Sequence, residues 1–267
     1  MPRLATKPVR PLRRWARVGL VVWGLGFMLY LANSVRTQGV APAQLHSDTR
    51  VQVLSSADAL ELRPIASLQA RGLIFFSGSG VSAEAYVPLL RPVAEAGHRV
   101  FIVRLPWRFA PLESHRDEAI AQARALIASQ PEATGWVAAG HSLGGAIAAR
   151  WLQSPPPGVT ALVLVGTTHP KDHDLSALQL PVTKVYATND EVAPVRRVLG
   201  NRRLLPASTQ WLEIKGGNHS QFGHYGHQLF DGDATITREE QQLLTRGALL
   251  QALAHIPAMP GSTTDKP

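Results

Sequence analysis

One serine in this chain stands in a pattern typical of a nucleophile. Ser142 is the centre of a G-x-S-x-G pentapeptide within residues 140–145, GHSLGG. This pattern favours a sharp, strained turn between a strand and a helix, where only glycine-sized neighbours let the helix pass close to the strand. The apolar run 136–139 predicts a buried strand before the turn, and residues 145–152 are rich in helix formers. A glycine-rich turn without a catalytic role is the alternative interpretation.

A serine hydroxyl becomes a good nucleophile only beside a base, and the base needs an anion that fixes its tautomer. His219 follows the apolar run 211–214, and Asp190 follows the run 182–186. The chain order serine, acid, histidine is one that catalytic triads on α/β folds use. We therefore predict that Ser142, His219 and Asp190 act as nucleophile, base and acid, although Asp190 alone could be an N-cap and His219 a solvated side chain. The remaining candidates are Asp172 and Asp174 for the acid, and His141, His169, His173, His224 and His227 for the base.

Acyl transfer also requires hydrogen-bond donors for the oxyanion that develops on the substrate. One predicted donor is the backbone N–H of Leu143, directly after the nucleophile. The other lies in the Ser-Gly-Ser-Gly turn at 77–80, where Ser79 is the first choice and Gly80 the second. A phosphate-binding turn is the alternative, but the third glycine of such motifs and a G-x-x-x-x-G-K-[ST] sequence are both missing.

The elements that must position these residues alternate between apolar runs and helix-like stretches. The runs predict strands at 51–54, 59–62, 72–76, 100–103, 136–139, 161–165, 182–186 and 211–214. Helices are expected from about 82, over 114–129, after the Ser142 turn, near 193–199 and from 237 to about 253. Ser82 is an expected N-cap, and the sequence Thr237-Arg238-Glu239-Glu240 has the spacing of a capping box.

This alternation predicts an α/β fold, a mostly parallel central sheet with helices on both faces. Loops at the carboxyl ends of such strands gather the chemistry. Only residues 166–181 separate two of the predicted strands, too few for a helical cap domain. We therefore expect an open site, walled in part by residues 107–109 and 221–230.

The amino-terminal segment predicts a membrane anchor. Residues 18–35 carry no charge, and as a helix they would span roughly 27 Å, about the thickness of a bilayer core. Six cations precede them and no acidic residue occurs before Asp48, so residues 1–17 are expected in the cytoplasm and the rest outside, in a periplasm or beyond the cell. A signal peptide cleaved near 32–34, which would release a secreted protein, and a buried core helix are the alternatives.

After this anchor we predict a linker over 36–50, a catalytic domain over 51–257 and a disordered tail over 258–267. Removing the six amino-terminal cations from the formal net charge of +8 leaves +2 for the rest, so a nucleic-acid partner is not expected. The absence of cysteine excludes disulfides, thiolate metal sites and a cysteine nucleophile. No metal-binding motif or cofactor is indicated, and no oligomeric state.

Taken together, these segments resemble the α/β-hydrolase superfamily and, more narrowly, the compact bacterial serine hydrolases of the dienelactone-hydrolase-like branch. The resemblance covers about residues 50–255 and is carried by the segments 75–86 (FFSGSGVSAEAY), 140–151 (GHSLGGAIAARW), 187–194 (ATNDEVAP), 216–223 (GGNHSQFG) and 231–242 (DGDATITREEQQ). It implies an α/β-hydrolase fold with nucleophile, acid and base at Ser142, Asp190 and His219. Dienelactone hydrolases proper carry a cysteine nucleophile, which this chain does not have, so their substrate class does not transfer.

The function predicted from the sequence is a serine hydrolase that cleaves a small ester-like substrate through an acyl-enzyme. Two alternatives use the same residues differently. An acyltransferase or peptidase would employ the same triad, whereas a membrane-tethered binding module on a hydrolase fold would be catalytically silent.

Overall fold

The computed structural model describes residues 11–66 and 68–254 of the 267-residue chain. The predicted basic segment 1–17 lies partly outside the described residues. The predicted tail 258–267 lies wholly outside them.

A mixed sheet of eight strands forms the centre of the fold. Its strands are β1 (Val51–Ser55), β2 (Ala59–Pro64), β3 (Arg71–Phe76), β4 (Val100–Val103), β5 (Gly135–His141), β6 (Val159–Val165), β7 (Val182–Ala187) and β8 (Gln210–Ile214). Their order across the sheet is β1-β2-β4-β3-β5-β6-β7-β8. Strands β3 to β8 run parallel, while β1 and β2 form an antiparallel hairpin that joins β4. The predicted fold class is confirmed.

Helices cover both faces of this sheet, as parallel strands require. The α-helices are α1 (Pro11–Ser34), α2 (Val87–Glu95), α3 (Glu113–Ala128), α4 (Leu143–Trp151), α5 (Val195–Gly200) and α6 (Arg238–Ala254). Helices α2 and α6 pack on one face and α3 and α4 on the other. Strand β3 shows the alternation that follows from the pleat, with Leu73 and Phe75 in the first core and Ile74 and Phe76 in the second.

Two predicted helix starts illustrate how local signals compete with tertiary contacts. Thr237 does form the predicted capping box: its Oγ1 accepts the N–H of Glu240 at 3.2 Å, and its own N–H donates to Glu240 Oε2 at 2.8 Å. Ser82 does not cap a helix through its side chain. A 3₁₀ turn over Ala83–Tyr86 precedes α2, and the Ser82 hydroxyl lies 2.6 Å from Oγ1 of Thr37 instead.

Helix α1 stands apart from the sheet. Its segment Arg13–Ser34 is long and apolar enough to cross a membrane by length and composition, and none of its apolar window is buried. Residues 36–50, expected as a linker, lie against the rest of the chain: Arg91 donates to the carbonyls of Gln44 and His46, and Thr37 forms a β-bridge with Tyr225.

Candidate active site

Ser142 lies on a strained turn between β5 and α4. Its φ of 54° and ψ of −117° place it in a region that L-residues rarely occupy. The two flanking glycines have no room for a side chain: a Cβ at Gly140 would lie 2.3 Å from the carbonyl carbon of Gly144, and a Cβ at Gly144 would lie 2.1 Å from the carbonyl oxygen of Phe76. The chain can therefore present Ser142 at this turn only with glycine at both positions.

His219 and Asp190 form a buried pair at the carboxyl ends of the strands. Asp190 follows β7 and His219 follows β8, and both are only 1% exposed. Nδ1 of His219 lies 2.8 Å from Oδ2 of Asp190, and Oδ1 of Asp190 accepts the N–H of Ala193 at 2.6 Å. This contact assigns the proton to Nδ1, which leaves Nε2 of His219 as a base. Nε2 is buried and makes no hydrogen bond with any residue that the structure describes.

Ser142 and His219 line the same pocket, whose volume is about 210 Å³. Leu143, at the start of α4, also lines it, and the remaining lining residues come from the loops after β6 and β7: Gly166, Thr167, Thr168, His169, Val192 and Ala193. No residue of 107–109 or 221–230, where walls were expected, lines this pocket. Trp107 and Phe230 point to solvent, since they are 79% and 82% exposed.

The turn after β3 leaves one backbone donor free. Gly78 donates its N–H to the Tyr86 hydroxyl at 2.9 Å, and Gly80 donates its N–H to the carbonyl of Arg108 at 2.9 Å. Between them, the N–H of Ser79 makes no hydrogen bond within the described part of the chain. Leu143 holds the first position of α4, where a backbone N–H has no acceptor inside the helix. Among residues 11–66 and 68–254, neither of the two N–H groups that the sequence singled out has a hydrogen-bond acceptor.

His141 packs inside the turn rather than facing a substrate. It is 1% exposed, its Nδ1 lies 2.9 Å from the Tyr86 hydroxyl, and its ring centroid lies 4.5 Å from that of His219. Burial, followed by the repulsion of His219, holds the pKa of His141 well below its usual value, so the ring is neutral. A neutral ring places no positive charge beside His219, to whose ring it is tilted by 44°.

The other candidate residues do not pair in this way. Asp174 is exposed and accepts the N–H of Ser176 at 2.8 Å, and Asp172 lies in the same loop. His224 is buried beside Gly39, and His227 lies 3.8 Å from the exposed Asp233. Across residues 11–66 and 68–254, no group of three or more His, Cys, Asp or Glu side chains could hold a metal ion.

Comparison with known proteins identifies the family. A family model described as "Alpha/beta hydrolase family" matches residues 72–243, more than half of the chain. The chain belongs to the alpha/beta hydrolase family. No curated protein matches it.

Solved structures share the fold at low sequence identity. TT1662 from Thermus thermophilus is 16% identical with a TM-score of 0.56, over 78% of this chain and 100% of that one. Esterase 2 of Thermogutta terrifontis is 16% identical with a TM-score of 0.52, over 80% and 98%. A predicted CIB-like hydrolase from Thermoplasma acidophilum is 14% identical with a TM-score of 0.55, over 76% and 98%. These neighbours support the alpha/beta hydrolase fold, while the dienelactone-hydrolase-like branch stays a prediction.

Two supports of the site in this alpha/beta hydrolase were not foreseen from the sequence. Asp231 accepts the N–H of His219 at 3.1 Å and the N–H and hydroxyl of Ser220 at 2.8 and 2.7 Å. Tyr86 ties the glycine turn to His141. The contact between Tyr86 and His141 spans 55 residues of the chain, and the contact between Asp231 and His219 spans 12. Neither follows from a local sequence pattern, although the segment 231–242 around Asp231 was noted for the family resemblance.

A buried lysine supports the loop that lines the pocket. Lys184, in the middle of β7, is 1% exposed and donates a hydrogen bond to the carbonyl of His169. Burial lowers the pKa of Lys184 to about 7. Burial, followed by the repulsion of Lys171, likewise lowers the pKa of His169 to about 4.

Proposed function

We propose that this hydrolase cleaves an ester through an acyl-enzyme, with Ser142 as nucleophile, His219 as general base and Asp190 as the acid of the triad. The observation that supports this most is the buried contact of 2.8 Å between His219 Nδ1 and Asp190 Oδ2. Nε2 has no hydrogen-bond partner in the described part of the chain, and His219 shares a pocket with Ser142. The hydrogen bond between a catalytic serine and its base is often long until a substrate binds, so the absence of this bond between Ser142 and His219 is compatible with the proposal.

The first half of the reaction forms the acyl-enzyme. His219 Nε2 takes the proton of Ser142 while Oγ attacks the carbonyl carbon, and the carbonyl electron pair moves onto oxygen. The backbone N–H groups of Leu143 and Ser79 donate to this oxyanion. When the tetrahedral intermediate collapses, the ester C–O bond breaks and the leaving alcohol takes the proton from His219.

The second half releases the acid. Water gives a proton to His219 Nε2 and attacks the acyl carbon, and collapse of the second intermediate returns the proton to Ser142. Asp190 stays ionised throughout, because its part is to orient the ring and to stabilise the imidazolium. No residue outside this set is required for the proton balance.

We also propose that residues 18–35 anchor the protein in a membrane, with the catalytic domain 51–257 on the extracytoplasmic side. The apolar window of α1, in which no residue is buried, supports the anchor, and the six cations among residues 1–17 support the orientation. A secreted form would carry a new amino terminus near residues 32–34, which intact mass measurement of the mature protein detects.

The test of catalysis is turnover of p-nitrophenyl esters by Ser142→Ala. We expect a loss of about ten-thousand-fold or more, since the nucleophile and base act as a unit. Ser208→Ala is the matched control, because Ser208 is exposed and lies away from the pocket. Turnover by Ser142→Ala at the level of Ser208→Ala would refute the proposal.

A further inference from the structure

Val35, which directly follows α1, contacts the turn that holds the proposed oxyanion donor. Arg108 joins the two: its Nε donates to the carbonyl of Gly80 at 2.7 Å, and its Nη2 donates to the carbonyl of Val35 at 3.1 Å. The approach is tight, since a Cβ at Gly80 would lie 3.1 Å from Cγ1 of Val35. Val35, the first residue after α1, therefore lies against Gly80, the residue next to Ser79.

Residues 33–38, at and just after the end of α1, also contact the loop that follows His219. Gln38 donates its N–H to the carbonyl of His224 at 2.8 Å, and Thr37 forms its bridge with Tyr225. At Gly226 a Cβ would lie 2.5 Å from the carbonyl oxygen of Asn33. Both contacted loops follow the carboxyl ends of strands, so the exit of α1 is fixed to the edge of the sheet that carries Ser142.

We infer that this edge of the sheet faces the bilayer and that the substrate is an acyl ester resident in the membrane. The inference rests on the proposed anchored hydrolase. A spanning helix leaves the hydrocarbon at its end, so loops that touch residues 33–38 lie at the membrane surface. The pocket with Ser142 opens among the loops of that same edge.

Exposed aromatic side chains on this edge support a lipid partner. Trp107 is 79% exposed and Phe109 48%, and both belong to the loop that contacts Val35 through Arg108. The backbone of this loop is strained, because Trp107, Arg108 and Ala110 have positive φ. Phe230, 82% exposed and also at positive φ, precedes Asp231, which holds His219. Aromatic rings of this kind settle at the level of lipid headgroups.

The absence of cysteine allows a direct test with the full-length chain. The Trp107→Cys protein has one cysteine, to which a fluorophore is attached. The labelled protein is inserted into phosphatidylcholine vesicles, with and without a lipid that carries a doxyl quencher near its headgroup. Ile65→Cys is the matched control, because Ile65 is 57% exposed and follows β2 at the opposite edge of the sheet. We expect quenching at position 107 and none at 65. Equal quenching at the two positions, or release of the chain from the vesicles, overturns the inference.

The substrate class is tested in the same vesicles. A long-chain acyl ester is placed either in the vesicles that hold the protein or in separate vesicles that do not. We expect hydrolysis at least about ten-fold faster in the first case, because a shared bilayer raises the effective concentration. Equal rates contradict a membrane-resident substrate. Labelling of Ser142 by a fluorophosphonate in parallel separates this outcome from failure of the hydrolase proposal.

Discussion

The Tyr86 hydroxyl lies 2.9 Å from Nδ1 of His141, the residue before Ser142. The same oxygen accepts the N–H of Gly78 at 2.9 Å, so one buried phenol joins the nucleophile turn to the glycine turn that follows β3. Burial also raises the pKa of Tyr86, which keeps the phenol neutral and able to donate. The Tyr86 side chain thereby helps to fix the distance between Ser142 and the N–H of Ser79.

We predict that Tyr86→Phe lowers kcat by about ten-fold with a smaller effect on KM, because the Gly78 N–H and His141 Nδ1 lose their partner and the oxyanion turn shifts. Steady-state turnover of a p-nitrophenyl ester measures this. Tyr186→Phe is the matched control, because it also removes a hydroxyl that makes a hydrogen bond, to Glu213 at 3.3 Å, but Tyr186 does not line the pocket of Ser142. A kcat of Tyr86→Phe equal to that of the control would contradict a positioning role.

Asp190→Asn is predicted to reduce kcat by about ten-thousand-fold, because an amide at this position no longer fixes the His219 tautomer or stabilises the imidazolium. The comparison is Asp174→Asn, whose carboxylate is exposed and bonds only to its own loop in the described structure. If Asp174→Asn were the slower enzyme, the acid would be misassigned.

Asp231→Asn is predicted to lower both stability and kcat. The carboxylate accepts the backbone N–H groups of His219 and Ser220, and loss of its charge weakens both bonds at a cost of about 1–3 kcal/mol in the free energy of unfolding. Urea unfolding and ester turnover measure the two effects. Asp233→Asn, two residues along and fully exposed, should match the parent protein in both. An unchanged unfolding midpoint in Asp231→Asn would show that the contact carries no weight.

The pH dependence of stability should change in Lys184→Met. The pKa of Lys184 is about 7 in the folded chain and 10.5 in the ordinary amine, so between these values the unfolded chain binds more protons. Its contribution therefore makes the free energy of unfolding rise with pH from about 7 to 10.5, by at most about 1.4 kcal/mol per pH unit.

Urea unfolding between pH 7 and pH 10 measures this slope, which should be smaller in Lys184→Met. Leu164→Met is the matched control, because Leu164 is buried and pairs with Lys184 across β6 and β7. Equal slopes in the two variants would show that Lys184 does not titrate in this range.

Strands β3 to β6 could be predicted from the sequence because each contains an apolar run that parallel pairing buries on both faces. Strand β4 was predicted at its observed bounds, Val100–Val103. The Ser142 turn could be predicted for a different reason. Strand and helix pass so close that no side chain fits at Gly140 or Gly144, so the two glycines are a local sequence signal for the turn.

The contacts that could not be predicted join residues distant in the chain. The Ser82 hydroxyl meets Thr37 rather than capping a helix, and the pocket is lined by His169 and Val192 rather than by the exposed Trp107. Neither relation leaves a periodic or local signal, since each depends on how the loops pack after the sheet has formed. The contacts of residues 33–38 with the loops after β3 and β8 could not be predicted for the same reason.

The proposed reaction depends first on activation of the Ser142 hydroxyl by His219. Its most direct test is reaction of the folded protein with a fluorophosphonate, followed by mass measurement of the modified peptide. We predict one adduct, on Ser142, that forms in the parent protein and is lost in both Ser142→Ala and His219→Ala. A folded protein that yields no adduct on Ser142, or one that reacts equally well without His219, would contradict it.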